Sequence, residues 1–380
     1  MVVQGYCDEK FAEVAQEFER NFSHRGDVGA SFALTVEGQT MVDIWGGFSD
    51  RDRTMAWQED TLVNVYSTGK TMIFLVCLML VDQGRLDLDA PVCSYWPEFG
   101  QNGKQKVLVK HLLSHSAGLP GFSRVLHSHE LFNWKLTVED LQAQAPWWEP
   151  GAEFGYHALT QGQLLGEVVR RITGQSFGEH FKQTVADVLD VDFHIGVSPE
   201  NFRRIASLIP ATDAPSADTP RPTPLAMKVL TNVYLPEGIT DTEGWRTAEI
   251  PAANGHGNAM SVVKAQTALA NAGNAFGKAL LSPQAVAQAF QEQANGIDKV
   301  LLMPLRFGMG YALSNEMMIK GPGNNALWWG GLGGSMVIID ADRHLCMSYA
   351  MNQMKHTVVG DERSSSLVSA VYRSLVNSKN

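Results

Sequence analysis

Strand-forming residues gather at the two ends of this 380-residue chain, and helix-forming ones lie between them. Apolar, β-branched and aromatic runs occupy Gly29 to Val36 and Gln39 to Gly46, joined by a turn at Glu37-Gly38. They return at Phe307 to Leu313, Gly334 to Asp340 and Leu345 to Met351. From roughly Val107 to Leu189 the apolar spacing is mainly helical, and it is helical again over Met260 to Ala272 and Pro283 to Gln293. A helix from Asp8 to Phe22 opens the chain and one from Ser364 to Val376 closes it. This order predicts an α/β (α+β) fold: one antiparallel sheet built from both termini, flanked by helices, with a mainly helical domain inserted. The expected units are 1–85 with 295–380, and 86–294, with an active site at their interface. The proline-rich stretch Pro210 to Pro224 reads as a long loop.

Composition narrows the function. An apolar content of 44% with 18% charged residues excludes a disordered or fibrous chain. A formal charge of −10, without clustered Lys and Arg, argues against nucleic acid as partner. The longest apolar run, Met72 to Leu80, is far short of the roughly twenty residues that cross a bilayer. The opening residues lack a basic patch and an apolar stretch, so a cytoplasmic location is expected. Cys7, Cys77, Cys93 and Cys346 are scattered, and suggest neither disulfides nor zinc. His111 and His115 would stand one helical turn apart, but Leu112 occupies the place of the glutamate that zinc proteases need. Structural histidines satisfied by backbone carbonyls are expected there, and no metal or organic cofactor.

The chemistry concentrates at Tyr66-Ser67-Thr68-Gly69-Lys70, just before that apolar run. A serine with a lysine three residues on puts a hydroxyl and an amine on one helical face, about a turn apart. Serine attacks at neutral pH only if a neighbour takes its proton, and a lysine serves only when burial and the helix dipole lower its pKa. The same spacing equally suits a serine that caps the helix and a lysine that reaches to water. Ser261-Val262-Val263-Lys264 repeats the pattern at what reads as an ordinary helix start. Gly174-Gln175-Ser176-Phe177-Gly178 matches a nucleophile elbow, yet a helix rather than a strand precedes it, and Ser176 with Glu179 reads as a capping box. Partners must decide.

Two segments offer partners. Tyr156, in Phe154-Gly155-Tyr156-His157-Ala158, follows a Pro-Gly turn from which a phenol can face a cleft. Trp329-Gly330-Gly331-Leu332-Gly333-Gly334-Ser335 precedes a strand, and its glycines let a substrate approach backbone N–H groups. With Ser67-Thr68-Gly69-Lys70, Val81 to Val92 and His111-Leu112-Leu113-Ser114-His115-Ser116-Ala117-Gly118-Leu119-Pro120, these segments make the chain resemble the class C β-lactamase and penicillin-recognising serine hydrolases. The likeness is specifically to their family VIII carboxylesterase branch, and it runs from about Val28 to Met354.

That resemblance implies a β-lactamase/transpeptidase-like fold and an acyl-enzyme on Ser67. Lys70 and Tyr156 would share the proton transfers, with the base open between them. The N–H groups of Ser67 and Leu332 would hold the oxyanion, and Trp329, Gly330 and Gly331 would bind substrate. Lactamases of this type carry Tyr-x-Asn and Lys-Thr-Gly where this chain has Tyr156-His157-Ala158 and Trp329-Gly330-Gly331. Losing that lysine removes a partner for an antibiotic's carboxylate, and Trp329 offers an apolar wall instead. The expected substrate is a small, uncharged, short- to medium-chain ester. Rivals are a lactamase, D-aminopeptidase or acyltransferase using the same residues, or a non-catalytic scaffold.

Overall fold

A computed structural model describes residues 3–214, 220–315, 321 and 323–377. Its centre is a nine-stranded sheet of Gln4–Cys7 (β1), Gly29–Val36 (β2), Gln39–Gly47 (β3), Ala294–Ile297 (β4), Pro304–Phe307 (β5), Ala312–Leu313 (β6), Ala326–Gly330 (β7), Met336–Asp340 (β8) and Leu345–Met351 (β9). The order is β1-β3-β2-β9-β8-β7-β6-β5-β4. Every pairing is antiparallel, and the two termini meet where β2 pairs with β9, Phe32 opposite Tyr349. The mixed fold expected from the distribution of strands and helices is therefore the one observed.

Strands β2, β8 and β9 are buried on both faces, which their near-continuous apolar sequences require. Alternation then divides the core in two. Phe32, Leu34, Ile338 and Met347 face Ala12–His24 (α1) and Glu362–Asn377 (α5), whereas Ala33, Val337, Ile339 and Cys346 face Lys70–Asp82 (α2) and Ala259–Ala270 (α4). Helix α2 is apolar all round, and each residue from Lys70 to Leu80 is buried. It is the axle of the molecule, and Gly84, at φ 66°, ends the turn that follows it. Thr160–Thr173 (α3) stops at Gly174 in the left-handed conformation, as Thr-Gly foretold.

Several elements differ from expectation. Phe307 to Leu313 is not one strand: Gly308 to Gly310 turn the chain between β5 and β6, and a Cβ on Gly310 would lie 2.3 Å from the Phe74 ring. The helix expected to Gln293 ends at Ala289, and the segment expected only to precede a strand begins inside one, with Trp329 and Gly330 closing β7. Strand β1 and the short strand Leu62–Asn64 went unread because each is too brief to show a period. Part of the Pro210 to Pro224 loop, 215–219, lies outside the described residues, and Pro224 opens a helix to Thr231. Among the described residues no helix is long and apolar enough to cross a membrane.

Candidate active site

Ser67 stands in a tight turn, Tyr66–Gly69, that leads into α2. Tyr66 has φ 45°, a conformation an aromatic residue adopts only when its surroundings hold it there. Lys70, the first residue of α2, is fully buried. Its Nζ lies 3.1 Å from Ser67 Oγ and 2.7 Å from each of two carbonyl oxygens, Ala158 and Ala252. Burial pushes its pKa well below the ordinary lysine value, and among the described residues no carboxylate is paired with it to repay the lost hydration. The Tyr156 ring, 4.8 Å from Nζ, favours the charge by only about 2 kcal/mol. A neutral amine has two N–H groups, which the two carbonyls accept. Its lone pair is then left for the Ser67 hydroxyl.

The Tyr156 phenol donates to Ser67 Oγ at 2.6 Å. Burial raises its pKa; the hydrogen bond to Ser67 and the nearby Trp329 indole pull it back, and the Asp298 charge pushes it up again. The phenol stays protonated. Ser67 Oγ thus accepts from the Tyr156 phenol on one side and lies beside an amine whose charge is disfavoured by burial on the other; with that amine neutral, a directed chain can run from Tyr156 through Ser67 to Lys70. His157, buried and neutral, locks the loop beside it: Nε2 accepts from Leu119 N–H at 3.1 Å and Nδ1–H donates to the Gly155 carbonyl at 2.7 Å.

The loop after β7 is tied to the serine turn. Ser335 Oγ donates to the Val65 carbonyl at 2.9 Å and lies 3.0 Å from Thr68 Oγ1. A Cβ on Gly331 would fall 2.2 Å from the Val65 oxygen, so only glycine allows this approach. Gly333 and Gly334 both have positive φ, and Arg363 Nη2 donates to the Gly333 carbonyl at 2.9 Å. Burial disfavours the Arg363 charge, but Tyr349, Asp27 and Asp361 outweigh it and hold the guanidinium ionised. Leu332, at the tip, is 43% exposed and lines the same cavity as Ser67 and Tyr156.

That cavity, about 210 Å³, is walled by residues such as Phe122, Leu159, Val229, Val233, Leu235 and Leu301, and no residue lining it is charged. The wall expected of Trp329 is corrected here. At 2% exposure Trp329 packs behind Tyr156, ring centroids 5.3 Å apart, because β7 lies inside the sheet and is buried along its whole length. Gly330 lies beneath the Val358 carbonyl, where a Cβ would come within 2.6 Å. The apolar wall comes instead from the segment 229–235, which sequence reasoning left without a role. At Tyr66, Leu235 and Leu332 the cavity adjoins a larger groove of about 610 Å³ that carries Arg51, Asp241 and Lys355.

The decoys separate cleanly. Ser176 Oγ accepts from Glu179 N–H and Glu179 Oε2 accepts from Ser176 N–H, a complete capping box, while the hydroxyl donates to Glu249. Ser261 and Lys264 lie away from the cavity. His111 and His115 are not a helical pair, since Val109–Leu113 ends before His115, whose φ is 59°. Nor do carbonyls satisfy them: His111 Nδ1 accepts from Leu108 N–H and His115 Nδ1 from His157 N–H. Among the described residues no cluster of His, Cys, Asp and Glu could hold a metal.

The beta-lactamase family model matches residues 18–370. The Mycobacterium tuberculosis protein Esterase/beta-lactamase LipL is 33% identical over 371 residues, 94% of this chain and 84% of that protein. A crystal structure of a family VIII carboxylesterase superposes with TM-score 0.93 at 37% identity, covering 98% of this chain and all of that one. A penicillin-binding protein homologue from Caulobacter crescentus gives TM-score 0.91 at 35% identity, with coverage of 98% and 100%.

Proposed function

The chain belongs to the beta-lactamase family, and we propose that within it this protein is a serine carboxylesterase acting through an acyl-enzyme on Ser67. The observation that carries the reading is the Ser67 hydroxyl held between a buried, uncompensated Lys70 amine and a protonated Tyr156 at the wall of an uncharged cavity.

Lys70 takes the Ser67 proton as Oγ attacks the ester carbon. The proton passes to the departing alkoxide through Tyr156, which breaks the ester bond and frees the alcohol. Water then attacks the acyl-enzyme, gives its proton to the same relay, and releases the acid as Oγ recovers its hydrogen. General acid–base assistance of this kind is worth about 10²–10⁴ in rate. The N–H groups of Ser67 and Leu332 steady the oxyanion, and each such donor is worth about 10²–10³. Trp329, Gly330 and Gly331 act at one remove, by backing Tyr156 and by allowing the close approach of the Leu332 loop.

The substrate is a small uncharged ester. Absence of any charge among the residues lining the inner cavity supports this, since a charged group placed in that cavity would lose its hydration without gaining a partner there. One arm of the ester fills the inner cavity and the other turns past Leu332 into the outer groove. A discontinuous unit, 1–85 with 295–380, supplies Ser67, Lys70 and Leu332, and an inserted unit, 86–294, supplies Tyr156. Four free thiols at Cys7, Cys77, Cys93 and Cys346 support a cytoplasmic setting.

Turnover of a chromogenic acetate or butyrate ester tests the assignment. A fluorophosphonate should label Ser67 in the wild type, Ser67→Ala should be inert and unlabelled, and Ser176→Ala should stay active. Loss of activity in a folded Ser176→Ala protein would mean that the nucleophile lies elsewhere.

A further inference from the structure

Tyr156 lies on a segment, 154–158, that belongs to no helix or strand. A catalytic phenol on such a segment must be held by something other than a hydrogen-bonded ladder. Its own N–H donates to Asp298 Oδ1 at 3.1 Å, and the next amide, that of His157, donates to His115 Nδ1 at 3.0 Å. One residue earlier, Gly155 N–H donates to the His115 carbonyl at 3.1 Å. Three consecutive amides are therefore fixed by two residues far apart in sequence, and both residues are fully buried.

Each anchor is itself rigid. Asp298 Oδ1 also accepts from Val300 and Leu301 N–H, both at 2.8 Å, so the carboxyl cannot rotate without breaking three bonds. Its second oxygen is buried with no hydrogen-bond partner among the described residues. His115 has φ 59°, and its ring is wedged against Tyr156 (5.0 Å between centroids), Phe307 (4.8 Å) and Trp329 (6.1 Å). Because Nδ1 accepts, the proton sits on Nε2, which is buried and also has no partner among the described residues. A bare carboxylate oxygen, an unsatisfied imidazole N–H and a left-handed histidine are all unfavourable, and all three converge on one loop. Water at the surface could satisfy the same amides at less cost, and would leave the phenol free to wander.

We propose that Asp298 and His115 are positioning residues, a side-chain clamp on the consecutive amides of Tyr156 and His157 that holds the phenol within hydrogen-bond distance of Ser67. The clamp joins the sheet edge, through the turn after β4, to the helical region, through the turn after Val109–Leu113. It rests on the reading of Tyr156 as the proton relay. Neither residue touches substrate; both act through the phenol.

The test is a double-mutant cycle read in ester hydrolysis. Asp298→Ala should lower kcat by about 10²-fold, the cost of a misplaced catalytic group, with KM little changed. His115→Phe keeps the ring packing and removes only the acceptor, and should lower kcat in the same way, so it also answers if Asp298→Ala does not fold. Asp298→Asn and His115→Asn, which retain an oxygen at the accepting position, should restore most of the rate. In a Tyr156→Phe background the same substitutions should cost nothing further. Losses that multiply in that background, or that fall on KM, overturn the clamp while leaving the esterase reading intact. A Tyr156→Phe protein that turns over at the wild-type rate removes the relay role, and the clamp with it.

Discussion

Ser67 with Lys70 and Ser261 with Lys264 share a spacing and stand at the starts of two helices of the same core, yet they are built for opposite ends. Ser261 lies inside a capping box: its Oγ accepts from Asn258 N–H at 2.9 Å, and its own N–H donates to Asn258 Oδ1 at 2.8 Å. Lys264 leaves the helix for the Asp190 carbonyl at 2.9 Å, with Asp190 Oδ2 at 3.4 Å. Ser67 does not cap α2, whose N-cap position is Gly69 and carries no side-chain cap. Lys70 reaches only neutral oxygens. Spacing is local, whereas the state of the amine depends on what stands at its far end. Lys264 ends at a carboxylate and a carbonyl near the surface, whereas burial beside two carbonyls in a dry core disfavours the charge on Lys70.

The widest separation between the two sites should come from the serines. Ser67→Ala is expected to lower turnover by about 10⁶-fold, the scale on which a lost serine nucleophile is felt, with the denaturation midpoint little changed. The lysines come next. Lys70→Met should cost about 10²–10⁴ in kcat and leave stability equal or higher, because an uncompensated buried amine is exchanged for an apolar chain of similar length. Lys264→Met should leave kcat untouched. Equal losses at both lysines would show that the amine at 70 acts through packing rather than as a base.

The state of Lys70 also sets a pH dependence. Its folded pKa lies below the unfolded value, so between the two the unfolded chain holds the extra proton. Wild-type stability should therefore rise with pH through that window and level off near 10.5, and Lys70→Met should lack the slope. Giving Lys70 the carboxylate that Lys264 already has makes the comparison sharper. Ala158→Asp, beside the carbonyl that Nζ touches, should raise the Lys70 pKa and move the acid limb of the rate profile up by about 1–3 units. An unmoved limb would assign that limb to another group.

Much of this was legible in advance because it is local. The hairpin of β2 and β3, the Leu345–Met351 strand, the capping box at Ser176 and the Thr-Gly stop of α3 each depend on neighbours within a few residues, and each stands where the pattern put it. What was not legible is carried by backbone atoms or by distant pairs. No side-chain code marks the carbonyls of Ala158 and Ala252 as lysine partners, because any residue supplies a carbonyl. Asp298 and His115 meet the Tyr156 loop from opposite sides in sequence, and Arg363 reaches Gly333 across the sheet. Trp329 was misplaced for a related reason. Two adjacent tryptophans before paired glycines look like an exposed platform, but the strand that carries them lies inside the sheet and both rings are buried.

The smallest effect completes the contrast. Removing the Ser261 hydroxyl leaves the Asn258 amide, buried at the start of α4, without its acceptor. An unsatisfied buried donor costs about 1–3 kcal/mol, partly offset here because the helix keeps the Asn258 Oδ1 bond to the residue 261 amide. Ser261→Ala should therefore lower unfolding free energy by about 1 kcal/mol in urea titration and leave ester turnover unchanged. Ser67→Ala should do the reverse, all chemistry and no stability. If Ser261→Ala instead slowed turnover in proportion to its loss of stability, helix α4 would be coupled to the Ser67 turn through the Ala252 carbonyl that Lys70 holds, and the two serines would no longer be independent.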